Sequence, residues 1–198
     1  MPSESPRPPL ILASTSPYRR ELLLRLGLPF RCAAPSVDED AFKRRPMEPT
    51  ELAERLARAK AGRVLEDEPD AVVIGGDQLV AFEGRVLGKP GTSERAAGQL
   101  LAMSGRAHQL ITAIAVADRG GVEAHVEVAT LTMRALGPEE IGRYVASDLP
   151  LDCAGSYRIE SRGIVLFDRI VATDHSAIVG LPLMALTSML RARGFPLP

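Results

Sequence analysis

Seven side chains in the first half of the chain are of the types that polyphosphate and metal chemistry needs: Ser14, Ser16, Arg19, Glu39, Lys60, Asp77 and Lys89. In "LILASTSPYRRELLLRL" a short apolar run stops at a hydroxyl cluster, and two arginines follow. A helix beginning there offers free backbone N–H groups and the positive end of its dipole, both favourable to phosphate. Arg19 and Arg20 oppose that dipole, a placement that makes sense beside an anion; the alternative is two solvated arginines on a capped helix. No GxxxxGK[ST] loop is present. Asp77 follows an apolar run and two glycines, so it reads as a carboxylate at the end of a buried strand. Such a group holds Mg²⁺ or takes a proton from water; an ordinary turn aspartate is the alternative. Leu56, Lys60 and Val64 are spaced by four, which puts the lysine on an apolar helical stripe, where it either snorkels or reaches an anion. Lys89 in "GKP" and Glu39 in "VDED" read singly as a loop lysine and a solvated acid, and jointly as further phosphate and metal ligands. Cations and a divalent metal around a triphosphate are the usual electrostatic solution to phosphoryl chemistry. No paired Ser, Cys or His nucleophile stands out, which favours attack by activated water. From the residues alone, the chain reads as a phosphate-handling α/β enzyme.

The elements that must position these groups follow from periodicity and punctuation. "LILAS" reads as a buried strand, with Ser16 as N-cap and Pro17 at the first helical position. Leu22, Leu23 and Leu26 share one face, and "GLP" ends that helix. "FRCAA" is a second strand. "SVDEDAFKRRPMEP" reads as a charged loop leading to a helix over 50–65 capped by Thr50. "AVVIGGDQLVAF" is a buried strand interrupted at Gly75-Gly76-Asp77, turning at "EG" into "RVLGKP". A helix over 93–103 precedes a long hairpin built from "HQLITAIAVAD" and "VEAHVEVATLTM". Gly137-Pro138 opens a helix to about residue 147, "GIVLFDRIVA" is a late strand, and "LPLMALTSMLRARG" is a closing amphipathic helix. The pattern predicts α/β with a mixed sheet.

The 198 residues suit one large domain or two small lobes. With 24 basic and 25 acidic residues, net charge −1, the chain lacks the basic surplus of a protein that coats nucleic-acid polymers. A small anionic ligand needs only a local cluster. Cys32 and Cys153 have no CxxC spacing and sit beside apolar residues, so both read as reduced, buried thiols. Residues 1–9, "MPSESPRPP", read as a disordered leader rather than a signal peptide, and no apolar run approaches the ~20 residues of a membrane span. The expectation is a cytoplasmic protein with no membrane partner.

These same stretches resemble the Maf family of nucleoside triphosphate pyrophosphatases, from Leu10 to about Arg193. "ASTSPYRRELL" is similar to the family's opening S-x-S-P-x-R segment, "VDED" to its acidic loop and "RLARAKA" to its Ala-Lys-Ala helix. "IGGDQ", "GKP", "MSG", "CAGSY" and "VGLP" follow in the family's order. The resemblance implies an elongated mixed-sheet fold, inosine triphosphatase-like, with two lobes about a central cleft and often dimeric; residues 10–198 would form this one domain. It implies hydrolysis between the α and β phosphates of a nucleoside triphosphate, with Asp77 as proton acceptor. Ser14, Ser16, Arg19, Lys60 and Lys89 would hold the triphosphate, and Glu39 with Asp77 a divalent cation, Mg²⁺ or Mn²⁺. Tyr18, Gln78 and Glu160 stand where the family varies with the base, and the trio is similar to the branch acting on 7-methyl-GTP, with Tyr in place of Trp. A methylated guanine carries positive charge, so an aromatic face gains a cation–π attraction of about 0.5–2 kcal/mol, and a carboxylate complements the charge while accepting from the guanine edge. The rival readings are hydrolysis of dTTP or UTP by the same chemistry, and a nucleotide-binding regulator of cell division that turns over little.

Overall fold

Strand β1 (Leu10–Ala13) is buried along its whole length, as its four apolar residues require. The computed structural model describes residues 7–44 and 46–198, so the first six positions of the expected leader lie outside it, and residues 7–9 are exposed. Ser16 then caps α1 (Pro17–Leu24), its hydroxyl accepting from the Arg19 N–H, with Pro17 at the first position. Strand β2 (Arg31–Ala33) is short and largely exposed, so Cys32 is exposed too, contrary to the expected buried thiol. Apolar neighbours in sequence do not bury a residue on a three-residue edge strand.

The charged stretch expected to be a loop contains a helical turn and a half, α2 (Glu39–Lys43). Asp38 caps it, Glu39 and Asp40 lie in its first turn and Lys43 in its last, an order that suits the helix dipole. Helix α3 (Pro49–Asp67) starts earlier than expected, with Glu48 rather than Thr50 at the cap position. Pro49 is the reason: its fixed φ is ready-made for the first helical position, so the helix begins there. Leu52, Leu56, Lys60 and Val64 fall on its buried stripe.

Strand β3 (Val72–Phe82) runs unbroken through Gly75, Gly76 and Asp77. The glycines do not interrupt it because Gly75 pairs with Ala13 on one edge and Ala115 on the other, and Gly76 pairs with Ile114 of the β5 ladder. Gly75 also lets α3 lie close, since a Cβ there would stand 2.2 Å from the Ala57 carbonyl oxygen and 2.7 Å from the Ala61 nitrogen. Gly75→Ala is therefore expected to cost about 2–3 kcal/mol of stability, read as a lower urea midpoint; a midpoint equal to wild type would contradict this packing.

The rest of the chain follows its pattern closely. A turn joins β3 to β4 (Arg85–Leu87), Thr92 caps α4 (Ser93–Met103), and β5 (Ala107–Asp118) with β6 (Gly121–Met133) forms the long hairpin. Helix α5 (Pro138–Asp148) begins at the expected Gly-Pro step. The late strand is shorter than expected, since residues 162–166 form a 3₁₀ turn before β7 (Phe167–Val171). Asp174 caps the short α6 (His175–Val179), and α7 (Leu183–Ala192) closes the chain.

The seven strands form one mixed sheet in the order β2-β1-β3-β5-β6-β7, with β4 also on β3. β1 runs parallel to β2 and β3; every other pairing is antiparallel. One core lies under α3 on one face, a second under α1 and α7 on the other, and a third joins α4 and α5 to the far ends of β5 and β6. One edge of β3 is shared by two partners. β1 pairs it through Gly75 and β4 from Val80 onward, so residues 76–79 have no described strand partner on that side. Asp77 lies in this gap. Among the described residues, no helix is long and apolar enough to cross a membrane.

Candidate active site

The gap opens into a cavity of about 990 Å³, at the large end of the roughly 300–1,000 Å³ typical of ligand pockets. All ten residues expected from sequence line it, from Ser14 to Glu160. Alternation along β3 decides what each strand residue meets: Asp77 points to the α3 face, Gly76 and Gln78 to the other.

On the α3 face Lys60 reaches from its apolar stripe to two acids. Its Nζ donates to Asp77 Oδ1 at 2.7 Å and lies 2.7 Å from Glu39 Oε1. Lys60 and Asp77 are 8% and 6% exposed, so this pair is formed largely out of water. Asp77 Oδ2 is buried and has no hydrogen-bond partner among the described residues. Burial lifts the Asp77 pKa above the ordinary aspartate range, with Lys60 and Arg19 offsetting only part of the rise. Burial opposes ionisation of Glu39 as well, but Lys60 and Lys43 outweigh it and hold that carboxyl below its usual value. Two neighbouring carboxylates are thus set apart, one a ready anion and one a stronger base.

On the other face, Arg19 lies against Gly76, donates through Nε to the Gly180 carbonyl at 3.0 Å and through Nη1 to Ser14 Oγ at 3.3 Å. The buried Ser14 hydroxyl also accepts from the Ser16 N–H at 3.1 Å, which shapes the turn into α1. Gln78 Nε2 lies within hydrogen-bond distance of Thr112 Oγ1, the Ala177 carbonyl and the Ile178 carbonyl, at 2.9, 3.0 and 3.2 Å. The amide nitrogen is therefore committed to the protein, which leaves the carbonyl oxygen as the end available to a ligand. Lys89 is exposed in the loop after β4. Tyr18 and Glu160, from chain segments far apart in sequence, both line this cavity; Glu160 is exposed, and partial burial by its neighbours still raises its pKa.

Sequence reasoning missed several neighbours. Lys43, on α2, lies 3.4 Å from Glu39. Thr112 is the polar residue inside the apolar run from Leu110 to Ala117, and that break in pattern was its signal. Arg158 donates to the Tyr18 hydroxyl at 3.4 Å; it sits two positions before Glu160, and nothing local marks it.

Asp77 Oδ2, orphaned and buried beside Glu39, fits a divalent cation, since Mg²⁺ is commonly held by one or two carboxylates with substrate phosphates and water completing its shell. Among the described residues no group of three or more His, Cys, Asp or Glu is placed to hold a metal by itself.

Carboxylates and cations gathered at a split strand edge of a mixed sheet define an α/β protein built to bind an anion. The Staphylococcus aureus Ham1 protein shares this fold, with a TM-score of 0.52 at 14% identity over 92% of this chain and 98% of that one. The profile of Maf-like proteins matches residues 9–193, and the chain belongs to that family. A Bdellovibrio bacteriovorus relative named 7-methyl-GTP pyrophosphatase is 50% identical over 185 residues, 93% of this chain and 97% of its own. Relatives of the same name from Xanthomonas campestris pv. campestris and Pseudomonas putida are 49% and 43% identical, each over 96% of this chain and 99% of theirs.

Proposed function

We infer that the protein hydrolyses 7-methyl-GTP to 7-methyl-GMP and pyrophosphate, as a cytoplasmic enzyme acting on the free nucleotide. The carrying observation is the Asp77 carboxylate: one oxygen is held by Lys60, the other is buried and unpartnered among the described residues, and the residue lines a nucleotide-sized cavity. Names borne by relatives of 43–50% identity across nearly the whole chain support the choice of substrate.

In this reading Ser14, Ser16 and Arg19 at the start of α1, with Lys60 and Lys89, hold the triphosphate. Water attacks the α-phosphorus; its proton passes to the Asp77 carboxylate as the bond to the α–β bridging oxygen breaks, and pyrophosphate leaves with that oxygen. The raised Asp77 pKa makes it a better proton acceptor than an exposed aspartate. Arg19 and Lys60 balance the charge that builds on the phosphates. Glu39 and Asp77 would hold Mg²⁺ or Mn²⁺, which supplies Lewis-acid neutralisation of the phosphate oxygens. At the other end Tyr18 offers an aromatic face to the cationic base, Glu160 a carboxylate to its N1 and N2 edge, and Gln78 an acceptor oxygen.

A triphosphate panel with pyrophosphate detection tests the reading. The expected result is a kcat/KM for 7-methyl-GTP about tenfold or more above those for GTP, dTTP and UTP, combining the cation–π and carboxylate contributions, with turnover lost in chelator. A preference for dTTP or UTP would overturn the base assignment, and tight nucleotide binding without product would favour a regulator.

A further inference from the structure

The segment that runs from α6 into α7 presents backbone carbonyls to two of the site residues. Gly180 offers its carbonyl to Arg19 Nε at 3.0 Å. Ala177 and Ile178 offer theirs to Gln78 Nε2 at 3.0 and 3.2 Å, and the Ala177 carbonyl also accepts from the Thr112 hydroxyl at 2.9 Å. Ile178 and Val179 of the same segment line the cavity. None of these hydrogen bonds uses a side chain of the segment, so its polar contribution is the direction of its peptide groups.

A buried acid with no part in the reaction as described ties this segment down. Asp174 is 6% exposed and caps two helices at once. Its Oδ1 accepts from the Ser176 N–H at 2.8 Å and from the Ser176 hydroxyl at 2.5 Å, at the start of α6. Its Oδ2 accepts from the Met184 N–H at 2.8 Å, in the first turn of α7, where a carboxylate also suits the helix dipole. The Ser176 hydroxyl in turn accepts from the Leu183 N–H at 2.8 Å. Both ends of residues 176–184 are therefore pinned through one side chain. Gly180, at φ 128°, turns the chain between them, a conformation that favours glycine. Ahead of the segment, Glu127 Oε1 on β6 accepts from the Thr173 and Asp174 N–H groups at 2.9 and 3.4 Å.

A shift of residues 176–184 would release Arg19 and Gln78 together. Arg19 commits Nε to Gly180 and Nη1 to Ser14, which leaves Nη2 to the phosphates. Gln78 meets two carbonyls that can only accept, so its amide nitrogen stays against them and its oxygen faces away. Each carbonyl is thus a stop against which a site residue takes its orientation. Asp174 itself does not line the cavity.

We propose that Asp174 is a positioning residue for both ends of the substrate: by capping α6 and α7 together, it holds the three carbonyls that aim Arg19 at the phosphates and Gln78 at the base. The inference rests on the placement of phosphates and base in the 7-methyl-GTP reading.

Titration calorimetry with two partial ligands, inorganic triphosphate and 7-methylguanosine, reads the two ends separately, at a temperature where thermal melts show each protein folded. Arg19→Met is expected to weaken triphosphate alone, and Gln78→Met the nucleoside alone. If either fails to do so, or wild type binds no 7-methylguanosine, the placement of phosphates and base is overturned and the inference with it. Asp174→Asn keeps the size of the side chain but turns an amide NH₂ toward the N–H of Ser176 or Met184. It is expected to weaken both ligands, each about three- to tenfold, the worth of roughly one hydrogen bond at each end. A purely structural role lowers the melting temperature and leaves both affinities of the folded protein at wild-type values. That result, or weakening at one end alone, overturns the inference and leaves the substrate reading standing. Ser176→Ala removes only the hydroxyl between Asp174 and Leu183, and serves where Asp174→Asn does not fold. It is expected to weaken both ligands about twofold, and unchanged affinities overturn the inference in the same way.

Discussion

Asp77→Asn is expected to lower kcat by about 10²- to 10⁴-fold, the range attributed to a positioned general base, while leaving the protein folded. Asparagine keeps the shape of the side chain and the contact with Lys60 but cannot take a proton from water. The stability side has a definite sign. Burial raises the native pKa of Asp77, so the native state binds this proton more tightly than the unfolded chain does. Ionisation therefore costs stability as pH rises from the unfolded aspartate value through the native one. At neutral pH the neutral asparagine removes that cost, and the thermal midpoint of the variant is expected not to fall. Full turnover in a folded Asp77→Asn protein would remove Asp77 from the chemistry; a lost fold would show that the carboxylate serves structure instead.

Lys60→Met carries the second large effect, and on stability the larger. The methionine fills much of the same space on the α3 stripe but leaves Asp77 buried beside Glu39 with no cation between them. Removing one partner of a buried pair costs about 3–5 kcal/mol because the other charge is left uncompensated. Lys60 lowers the Asp77 pKa in the wild type, so its loss moves that pKa further up. The sign follows as before: destabilisation is greatest above the new native pKa and shrinks as acid protonates the carboxyl. Urea denaturation at pH 7.5 and at pH 5 checks this; the midpoint is expected to drop by more at the higher pH, and equal drops would mean Asp77 is not the group left exposed. In any residual turnover the acid limb of the pH–rate profile is expected to move to higher pH.

Both variants act on a pair of residues whose legibility in the sequence differed. Lys60 announced itself, because a lysine spaced by four from Leu56 and Val64 must lie on the buried side of any helix formed there. Asp77 was visible as a residue worth attention, but its setting was misread. Two glycines before an acid look like a strand end, since glycine has poor strand propensity. In the fold, β1 and β5 pair Gly75 from both sides and α3 needs its missing Cβ, so the strand continues and Asp77 sits in mid-course. Glu39 looked like part of a solvated loop, yet Asp38 caps a short helix that delivers it to Lys60.

Local chemistry in the chain was enough to determine the helices with clear caps, the hairpin, the mixed α/β class and the residue types able to grip phosphate, because each depends on neighbours a few positions away. Only the tertiary structure decided that the edge of β3 is split between β1 and β4, that Asp77 falls in the opening, and that the Gly180 carbonyl meets Arg19. Those outcomes depend on where separate strands stop and on contacts between residues as far apart as Arg19 and Gly180, and no short-range pattern records such distances. The physical reason is that burial, which moves the Asp77 pKa and makes its pairing with Lys60 count, exists only once distant segments have excluded water together.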